Sequence, residues 1–216
     1  MNGQDNLLPF FPLEMVAFPG ERLNLHIFEP RYRQLIHHVR EEGSTFCIPA
    51  VIDRQVQVVA TEMKLLEIVR QYEDGRMDIR AEGIGVVETL DFFPMLIGWL
   101  FPAGEVRRVD MIANGHDLNR LKIVDLVRDL WSRLGASKPV PGVSDLESVF
   151  TIGHHVGFNL KQEYQLLSQP EELDRQMMVL AHLEELMPTV VMMDEIRKKV
   201  SMNGHFREFP PAEWGD

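Results

Sequence analysis

A chain of 216 residues with 45% hydrophobic and 25% charged residues has the composition of a globular protein, and it is long enough for one large domain or two small ones. Its formal net charge of −11 argues against general affinity for nucleic-acid phosphates. The single cysteine, Cys47, excludes an intramolecular disulfide and a cysteine-based zinc cluster. No run approaches the roughly 20 apolar residues of a membrane span and the start is unlike a signal peptide, so we expect a cytoplasmic protein.

The first hundred residues are rich in strand patterns. Arg22–Ile27 alternates polar and apolar residues, which is the period of a half-buried strand. Asp74-Gly75 lies between two strand patterns and predicts a hairpin. Gly83 and Gly85 interrupt the second arm of this hairpin and predict a bulge or a bend. The other predicted strand segments are residues 46–52, 56–60, 64–72, 77–82, 86–87 and 95–101.

One helix is predicted within this strand-rich half. Pro30 suits a first helical turn, because its ring presets the backbone angle that a helix requires. Leu35, Ile36 and Val39 give the segment an apolar face, and Gly43 suits the position that follows the last helical residue.

After about residue 114 the apolar spacing becomes helical. A first helix is predicted up to Gly135, with an apolar stripe formed by Leu118, Leu121, Val124, Val127, Trp131 and Leu134. Residues 136–143 have the composition of a loop. Ser144 with Glu147 has capping-box spacing and predicts the start of the next helix, and Asn159 predicts the start of a short one.

The longest predicted helix follows. Ser168 with Glu171 repeats the capping-box spacing at its start, and Pro188 is expected to break it and to restart a final helix. Its predicted apolar stripe is Leu173, Met177, Leu180, Leu183 and Met187. These patterns together predict an α+β protein with a β-rich lobe over residues 1–110 and a helical lobe over residues 111–216.

The densest run of special backbone positions lies near the N-terminus and comprises Pro12-Leu13, Phe18-Pro19-Gly20 and His26-Ile27-Phe28-Glu29-Pro30-Arg31-Tyr32. This run resembles the N-terminal substrate-binding domain of the ATP-dependent Lon proteases. The resemblance continues more weakly through residues 58–61 and 74–83, and loosely around residues 161–167. It implies a PUA-like β-pseudobarrel with one embedded helix, followed by a C-terminal helical bundle, in a module that binds unfolded or degron-bearing polypeptides.

Physical chemistry gives the N-terminal run structural roles first. Phe28 is expected to anchor the strand-to-helix corner in the core. Glu29 lies at a predicted helix N-terminus, where its carboxylate can accept backbone hydrogen bonds, and Arg31 is expected to pair with an acidic neighbour. We therefore interpret the signature residues as structural, and they are Pro12, Pro19, Gly20, Phe28, Glu29, Pro30, Arg31 and Tyr32.

No catalytic, cofactor-binding or metal-binding residue is predicted. Neither the phosphate-binding pattern G-x-x-x-x-G-K-[ST] nor the metal-binding pattern H-E-x-x-H occurs in the sequence. Ser137-Lys138 and the pair Lys199 and Ser201 bring together the residue types of a Ser–Lys dyad, but neither has a Gly-rich nucleophile turn beside it. The chain is therefore expected to be non-enzymatic and to require no cofactor.

Methionine is concentrated near the C-terminus, where Met177, Met178, Met187, Met192, Met193 and Met202 lie within a short stretch. Flexible thioether side chains suit a surface that accepts many apolar shapes, but they also fill cores, and both interpretations stay open. The aromatic and proline-rich tail, residues 206–214, can dock back onto the protein or serve as a recognition segment. The candidate polypeptide-binding residues are Met178, Met192, Met193, Phe206 and Phe209.

The function predicted from these observations is a non-catalytic, polypeptide-binding module that captures unfolded or degron-bearing proteins, or that acts as an adaptor for a protease or a chaperone. Capture is expected in a groove between the β-rich lobe and the helices. The alternative is a small-molecule or RNA-binding PUA-like module. A basic face built from Arg22, Arg31, Arg33 and Arg40 would favour RNA.

Overall fold

The computed structural model describes residues 6–136 and 139–204, apart from the side chains of residues 145 and 202–204. The strands are β1 (Leu7–Pro9), β2 (Arg22–Ile27), β3 (Phe46–Ile52), β4 (Gln55–Gln71), β5 (Met77–Phe93) and β6 (Ala103–Val109). The α-helices are α1 (Pro30–Glu42), α2 (Asp117–Leu134), α3 (Leu160–Leu167) and α4 (Glu172–Gly204), and two 3₁₀ turns span Val143–Asp145 and Val149–His155. The fold class is α+β, as predicted.

The strands form one antiparallel sheet in the order β1-β6-β5-β4-β3, and β2 pairs with the first part of β5. The chain that follows β1 then pairs in parallel with β3, at Phe10 with Cys47 and at Leu13 with Ala50. The backbone N–H of Phe11 donates to the Cys47 carbonyl at 2.8 Å. The sheet therefore closes on itself, and this closure is the pseudobarrel that the sequence resemblance implied.

A β-bulge lies where the two glycines interrupt β5. Glu62 of β4 pairs with Gly85, and the next residue of β4 pairs with Gly83, so Ile84 is the additional residue. A Cβ atom at Gly83 would lie 2.3 Å from the Phe18 carbonyl oxygen, because the turn before β2 passes directly over this position. The predicted bulge is confirmed, and the close backbone approach is the reason for glycine.

Helix α1 begins and ends where the sequence predicts. Pro30 occupies its first turn, and Gly43 follows its last residue in the left-handed conformation, with φ 61°. Its buried face packs into the main core of the β-rich part of the chain, formed by Phe11, Ala17, Ile27, Tyr32, Leu35, Ile36, Val39, Phe46, Ile48, Met63, Met77, Ile79, Ala81 and Phe101.

The strand predicted over residues 95–101 is absent, and this prediction was wrong. The chain leaves the sheet after β5, turns at Gly98 with φ 86°, and rejoins it at β6. Pro94 lacks the N–H that a sheet ladder requires, and Gly98 lacks the side chain that stabilises an extended strand.

The start of α4 also differs from the prediction. Ser168 ends α3, with its hydroxyl donating to the Tyr164 carbonyl at 2.8 Å, and α4 begins at Glu172. The capping box lies instead at Asn159 and Gln162, at the start of α3.

The predicted break at Pro188 does not occur. Helix α4 continues through this proline to Gly204. Leu183, Met187 and Val190 are buried on both sides of the proline, so packing on one helix face offsets the local cost of about 3 kcal/mol. The predicted stripes were partly wrong, since Leu173 and Met177 of α4 are exposed. The same holds in α2, where the exposed stripe residues are Leu118, Leu121 and Leu134.

The chain divides into two compact units. One comprises Met1–Gly115 with Ser148–Arg175, and the other comprises His116–Glu147 with Gln176–Asp216. The first contains the sheet, α1, α3 and the first turn of α4, and the second contains α2 and the rest of α4. The division predicted from the sequence, into residues 1–110 and 111–216, stays a prediction.

Candidate functional site

The N-terminal signature residues form the corner between β2 and α1. Pro30 starts α1, and the carboxylate of Glu29 before it accepts no capping hydrogen bond from the backbone of the helix. The Glu29 carboxylate instead accepts from Arg31, with 2.8 Å between Oε2 and Nη2, which is the acidic partner expected for this arginine. Tyr32 is buried, and its ring lies 4.2 Å from the Phe11 ring. These contacts are within the protein, as a structural role requires.

Phe28 departs from its predicted place in the core, since 60% of its surface is exposed. The residue before it, Ile27, ends β2 with its side chain buried, and consecutive side chains of an extended chain point to opposite sides. Phe28 therefore faces solvent, with its ring 6.2 Å from the His26 ring.

Of the methionines predicted to bind polypeptide, Met192 and Met193 are exposed, at 56% and 62%. Ile196 and Val200 follow at helical spacing and are exposed too, so these four residues form an exposed apolar surface on α4, called here the α4 apolar face. Met178 is half-buried and lies about 21 Å from Met192 along the helix, at about 1.5 Å per residue. Phe206 and Phe209 lie outside the described residues.

The β5–β6 loop, residues 94–102, is a second exposed apolar surface. Met95, Ile97 and Leu100 all point into solvent, and Ile97 is fully exposed. Leu90 and Phe92, near the end of β5, are exposed apolar residues as well. Contiguous exposed apolar side chains are typical of interaction sites, because a protein gains by removing them from water only when a partner covers them.

The β5–β6 loop is anchored by specific contacts with α1. The Gln34 side-chain amide donates to the Gly98 carbonyl at 2.9 Å, and its oxygen accepts from the Leu100 N–H at 2.7 Å. The Trp99 ring lies 4.6 Å from the His38 ring and 4.8 Å from the Phe101 ring, which is completely buried. The exposed side chains are therefore presented by a held backbone, so binding would not incur the full entropic cost of ordering the loop.

Sequence reasoning missed the β5–β6 loop as an exposed apolar surface. The run from Pro94 to Phe101 is apolar, and its composition predicts a strand over residues 95–101. Pro94 and Gly98 both disfavour a strand, so they indicated that this run lies outside the sheet. The apolar side chains of such a loop are exposed unless another segment covers them.

Three of the four arginines that would have formed an RNA-binding face are engaged within the chain. Arg22 pairs with Glu82, Arg31 with Glu29, and Arg33 donates to the Asp74 carbonyl. The described residues thus give no concentrated basic face from this set.

An ion pair between a buried carboxylate, Glu62, and an exposed guanidinium, Arg108, ties β4 to β6. The Glu62 carboxylate is buried and accepts two hydrogen bonds from Arg108, both at 2.8 Å, and one from the Thr45 hydroxyl at 2.6 Å. Burial by itself would raise the pKa of Glu62, but these hydrogen bonds outweigh burial and hold its pKa below the ordinary value. The pair therefore stays charged at neutral pH.

His154 is held between two carboxylates in the first unit. Its Nδ1 lies 2.8 Å from Glu163 and its Nε2 lies 3.3 Å from Glu21, while the ring packs 4.7 Å from the Phe18 ring. The hydrogen bonds to Glu163 and Glu21 raise the pKa of His154 to about 9 against the opposing effect of burial. The imidazolium is thus a structural cation at neutral pH.

No group of three or more His, Cys, Asp or Glu residues that could hold a metal ion occurs in the part of the chain that the structure describes. Likewise, none of the described helices is long and apolar enough to cross a membrane. An open cleft of about 780 Å³ lies between the end of α1 and β4, and its lining includes Val39, Arg40, Ser44, Lys64 and Leu66.

Comparison with known proteins gives the class to which this fold and these surfaces belong. The family model of the ATP-dependent protease La (LON) substrate-binding domain matches residues 7–187. The chain therefore belongs to the Lon substrate-binding domain family, which is a polypeptide-binding and non-catalytic type of domain.

Two solved structures share the fold. A Lon N-terminal domain protein from Xanthomonas campestris is 22% identical with a TM-score of 0.63, and the match covers 81% of this chain and 97% of that one. The N-terminal domain of Mycobacterium avium complex Lon protease is 14% identical with a TM-score of 0.63, over 82% of this chain and 98% of that one. Among curated proteins, no sequence matches this chain.

Proposed function

We propose that this protein is a non-enzymatic polypeptide-binding module that captures unfolded or degron-bearing proteins, and that it acts alone or as an adaptor for a protease or a chaperone. The observation that carries the proposal is the β5–β6 loop, where Met95, Ile97 and Leu100 are exposed on a backbone held by Gln34. Family membership supports polypeptide binding in general. The buried free thiol of Cys47 is compatible with the proposed cytoplasmic location.

The α4 apolar face is proposed as a second contact surface. Met192 and Met193 can adapt to different apolar side chains, because thioether chains are flexible and polarisable. The predicted groove between the β-rich lobe and the helices stays a prediction, and the two surfaces are proposed separately.

The test is the binding of a labelled, permanently unfolded polypeptide, measured by fluorescence anisotropy at two salt concentrations with the folded form of that polypeptide as control. Wild type is expected to bind the unfolded form selectively, and the binding is expected to survive added salt, because apolar contacts are not screened. The triple variant Met95→Ser, Ile97→Ser, Leu100→Ser is expected to bind at least about tenfold more weakly, since three apolar side chains lose their contact area.

Leu118→Ser is the matched control, because this leucine is also exposed and lies on α2 in the other unit. It is expected to bind as wild type does. Equal binding by the triple variant would remove the β5–β6 loop from the proposal and leave the α4 apolar face, tested by Met192→Ser with Met193→Ser. ATP hydrolysis or peptide cleavage by the purified protein would contradict the non-enzymatic role, and selective RNA binding would favour the alternative function.

A further inference from the structure

The outer edge of β4 is open over its second half. Residues 55–63 of β4 pair with β3 on one side, whereas Lys64–Gln71 pair only with β5 among the described strands. The backbone N–H and C=O groups on the other side of this segment thus face a region with no neighbouring described strand. Such an edge is a template to which an extended segment can add as a further strand.

The open edge borders the cleft of about 780 Å³ described above. Val39 and Arg40 of α1 form one wall with Gly43 and Ser44, and residues 64–68 of β4 form the other. The Ser44 hydroxyl is buried, and no described group accepts or donates a hydrogen bond to it. An added strand would therefore lie in a groove with walls on both sides, rather than on a flat surface.

Two β-bulges shape this edge. The register of β4 against β5 shifts between Leu65 and Glu67 and again between Ile68 and Arg70, so Leu66 and Val69 are the additional residues. Both have exposed apolar side chains, at 38% and 53%. The bulges bend the edge, which limits pairing to a short segment and opposes edge-to-edge pairing with a second copy.

The charge of the cleft favours peptide segments with acidic side chains over those with basic ones. Arg40 and Lys64 line it, and neither forms an ion pair with a described residue. The one acidic lining residue, Glu67, is paired with Arg80. The acidic residues at the end of α1, Glu41 and Glu42, are exposed but are not part of the cleft lining. A chain of net charge −11 thus carries a locally cationic cleft beside an open strand edge.

We propose that the cleft between α1 and β4 binds a short, extended peptide segment with acidic side chains, which adds to the sheet along Lys64–Gln71. The peptide backbone would pair with the open edge, its apolar side chains would contact Leu66 and Val69, and its carboxylates would meet Arg40 and Lys64. This inference rests on the proposed polypeptide binding and names a separate site and ligand class for it.

The probe is an acetylated and amidated hexapeptide of alternating Val and Glu, with the corresponding Val and Lys peptide as its control. We expect the acidic peptide to bind and the basic one to bind at least about tenfold more weakly, since like charges at a contact are penalised. Because the whole protein is acidic, its net charge disfavours this preference, so the preference would report the cleft itself. Lys64→Glu is expected to weaken binding of the acidic peptide by about tenfold.

Lys122→Glu is the matched control variant, since this lysine is exposed on α2 in the other unit and makes the same change in net charge. It is expected to leave peptide binding unchanged. Strand addition itself is tested by N-methylating alternate peptide amides, which is expected to abolish binding in one register and to spare it in the other. Hydrogen exchange of the Lys64–Gln71 amides is expected to slow when the peptide is bound.

The proposal is overturned if the basic peptide binds equally well, if both N-methylated registers bind alike, or if the protection falls outside Lys64–Gln71. It is also overturned if binding requires a free peptide carboxyl terminus, or if the edge is occupied by a second copy in solution. The assay of unfolded-polypeptide binding distinguishes failure of the cleft proposal from failure of the proposed function. If that binding persists in Lys64→Glu while the hexapeptide fails to bind wild type, the cleft proposal fails and the proposed function stands.

Discussion

Replacing His154 by glutamine tests whether one half-buried cation stabilises the first unit. The imidazolium lies between Glu163 and Glu21, and its pKa of about 9 lies about 2.5 above the ordinary value of 6.5. Each pKa unit corresponds to about 1.4 kcal/mol, so the charged form contributes at most about 3 kcal/mol to folding. Solvent reaches 27% of the side chain and screens the two contacts, so we expect about 2 kcal/mol.

The sign of the pH dependence follows from the raised pKa. The folded state holds a proton that the unfolded state releases above pH 6.5, so the stabilisation is complete below that pH. It declines as the pH rises from 6.5 and is lost above about 9. His154→Gln should therefore cost about 2 kcal/mol at pH 6 and much less at pH 10, where wild type has also lost the charge.

The assay is urea unfolding of wild type and His154→Gln at a series of pH values between 6 and 10, with His37→Gln as the matched control. No described group forms a hydrogen bond with the His37 ring, so its replacement should not change this profile. A histidine titration followed by NMR gives the pKa directly. A pKa near 6.5 for His154, or a cost of substitution that does not vary with pH, would refute the reasoning.

Three further substitutions probe the same unit. Arg175→Met should cost about 3 kcal/mol in urea unfolding, because it leaves the buried Glu172 carboxylate without its cation. The double variant with Glu172→Gln should recover part of that loss. Gly83→Ala should cost about 2 kcal/mol of unfolding free energy, because its Cβ would lie 2.3 Å from the Phe18 carbonyl oxygen. Glu62→Gln should destabilise the protein above pH 5 and should matter less as the pH falls, because the pKa of this carboxyl is lowered by folding.

Each of these expectations has a contrary outcome. A double variant at Glu172 and Arg175 that is no more stable than the single Arg175 variant would show that the cost is lost packing and not an uncompensated charge. An unchanged unfolding midpoint for Gly83→Ala would show that the turn over the bulge can move away. A Glu62→Gln cost that grows as the pH falls would reverse the sign derived from the lowered pKa.

Features with a local physical cause were predictable from the sequence. Pro30 and Gly43 bound α1, because a fixed φ suits a first turn and a left-handed residue suits the position after the last turn. The hairpin at Asp74-Gly75 forms with Gly75 at φ 84°. Alternation in Arg22–Ile27 identified β2, and the N-terminal run identified the family and with it the pseudobarrel. Met192 and Met193 are exposed while Met187 of the same cluster is buried, so polypeptide binding by the exposed methionines stays a prediction.

The surfaces depended on the tertiary structure. In the β5–β6 loop some apolar side chains are exposed, whereas Trp99 and Phe101 pack against α1. The periodicity of the apolar run does not reveal which side chains are exposed and which are packed. The open edge of β4 exists because β3 is shorter than β4, which is a property of strand pairing. Helix α4 continues through Pro188 because buried neighbours compensate a local cost.

The sequence by itself thus determined the elements whose beginnings and ends depend on backbone angles and on short-range spacing. Only the tertiary structure decided which apolar residues remain exposed, because exposure depends on whether a distant segment covers each side chain. Phe28 illustrates the difference, since the strand that ends just before it was predictable, while the side to which Phe28 points was decided by the burial of Ile27. Exposed apolar surfaces consist of the side chains that no other segment covers. They therefore depend on contacts between segments far apart in the chain.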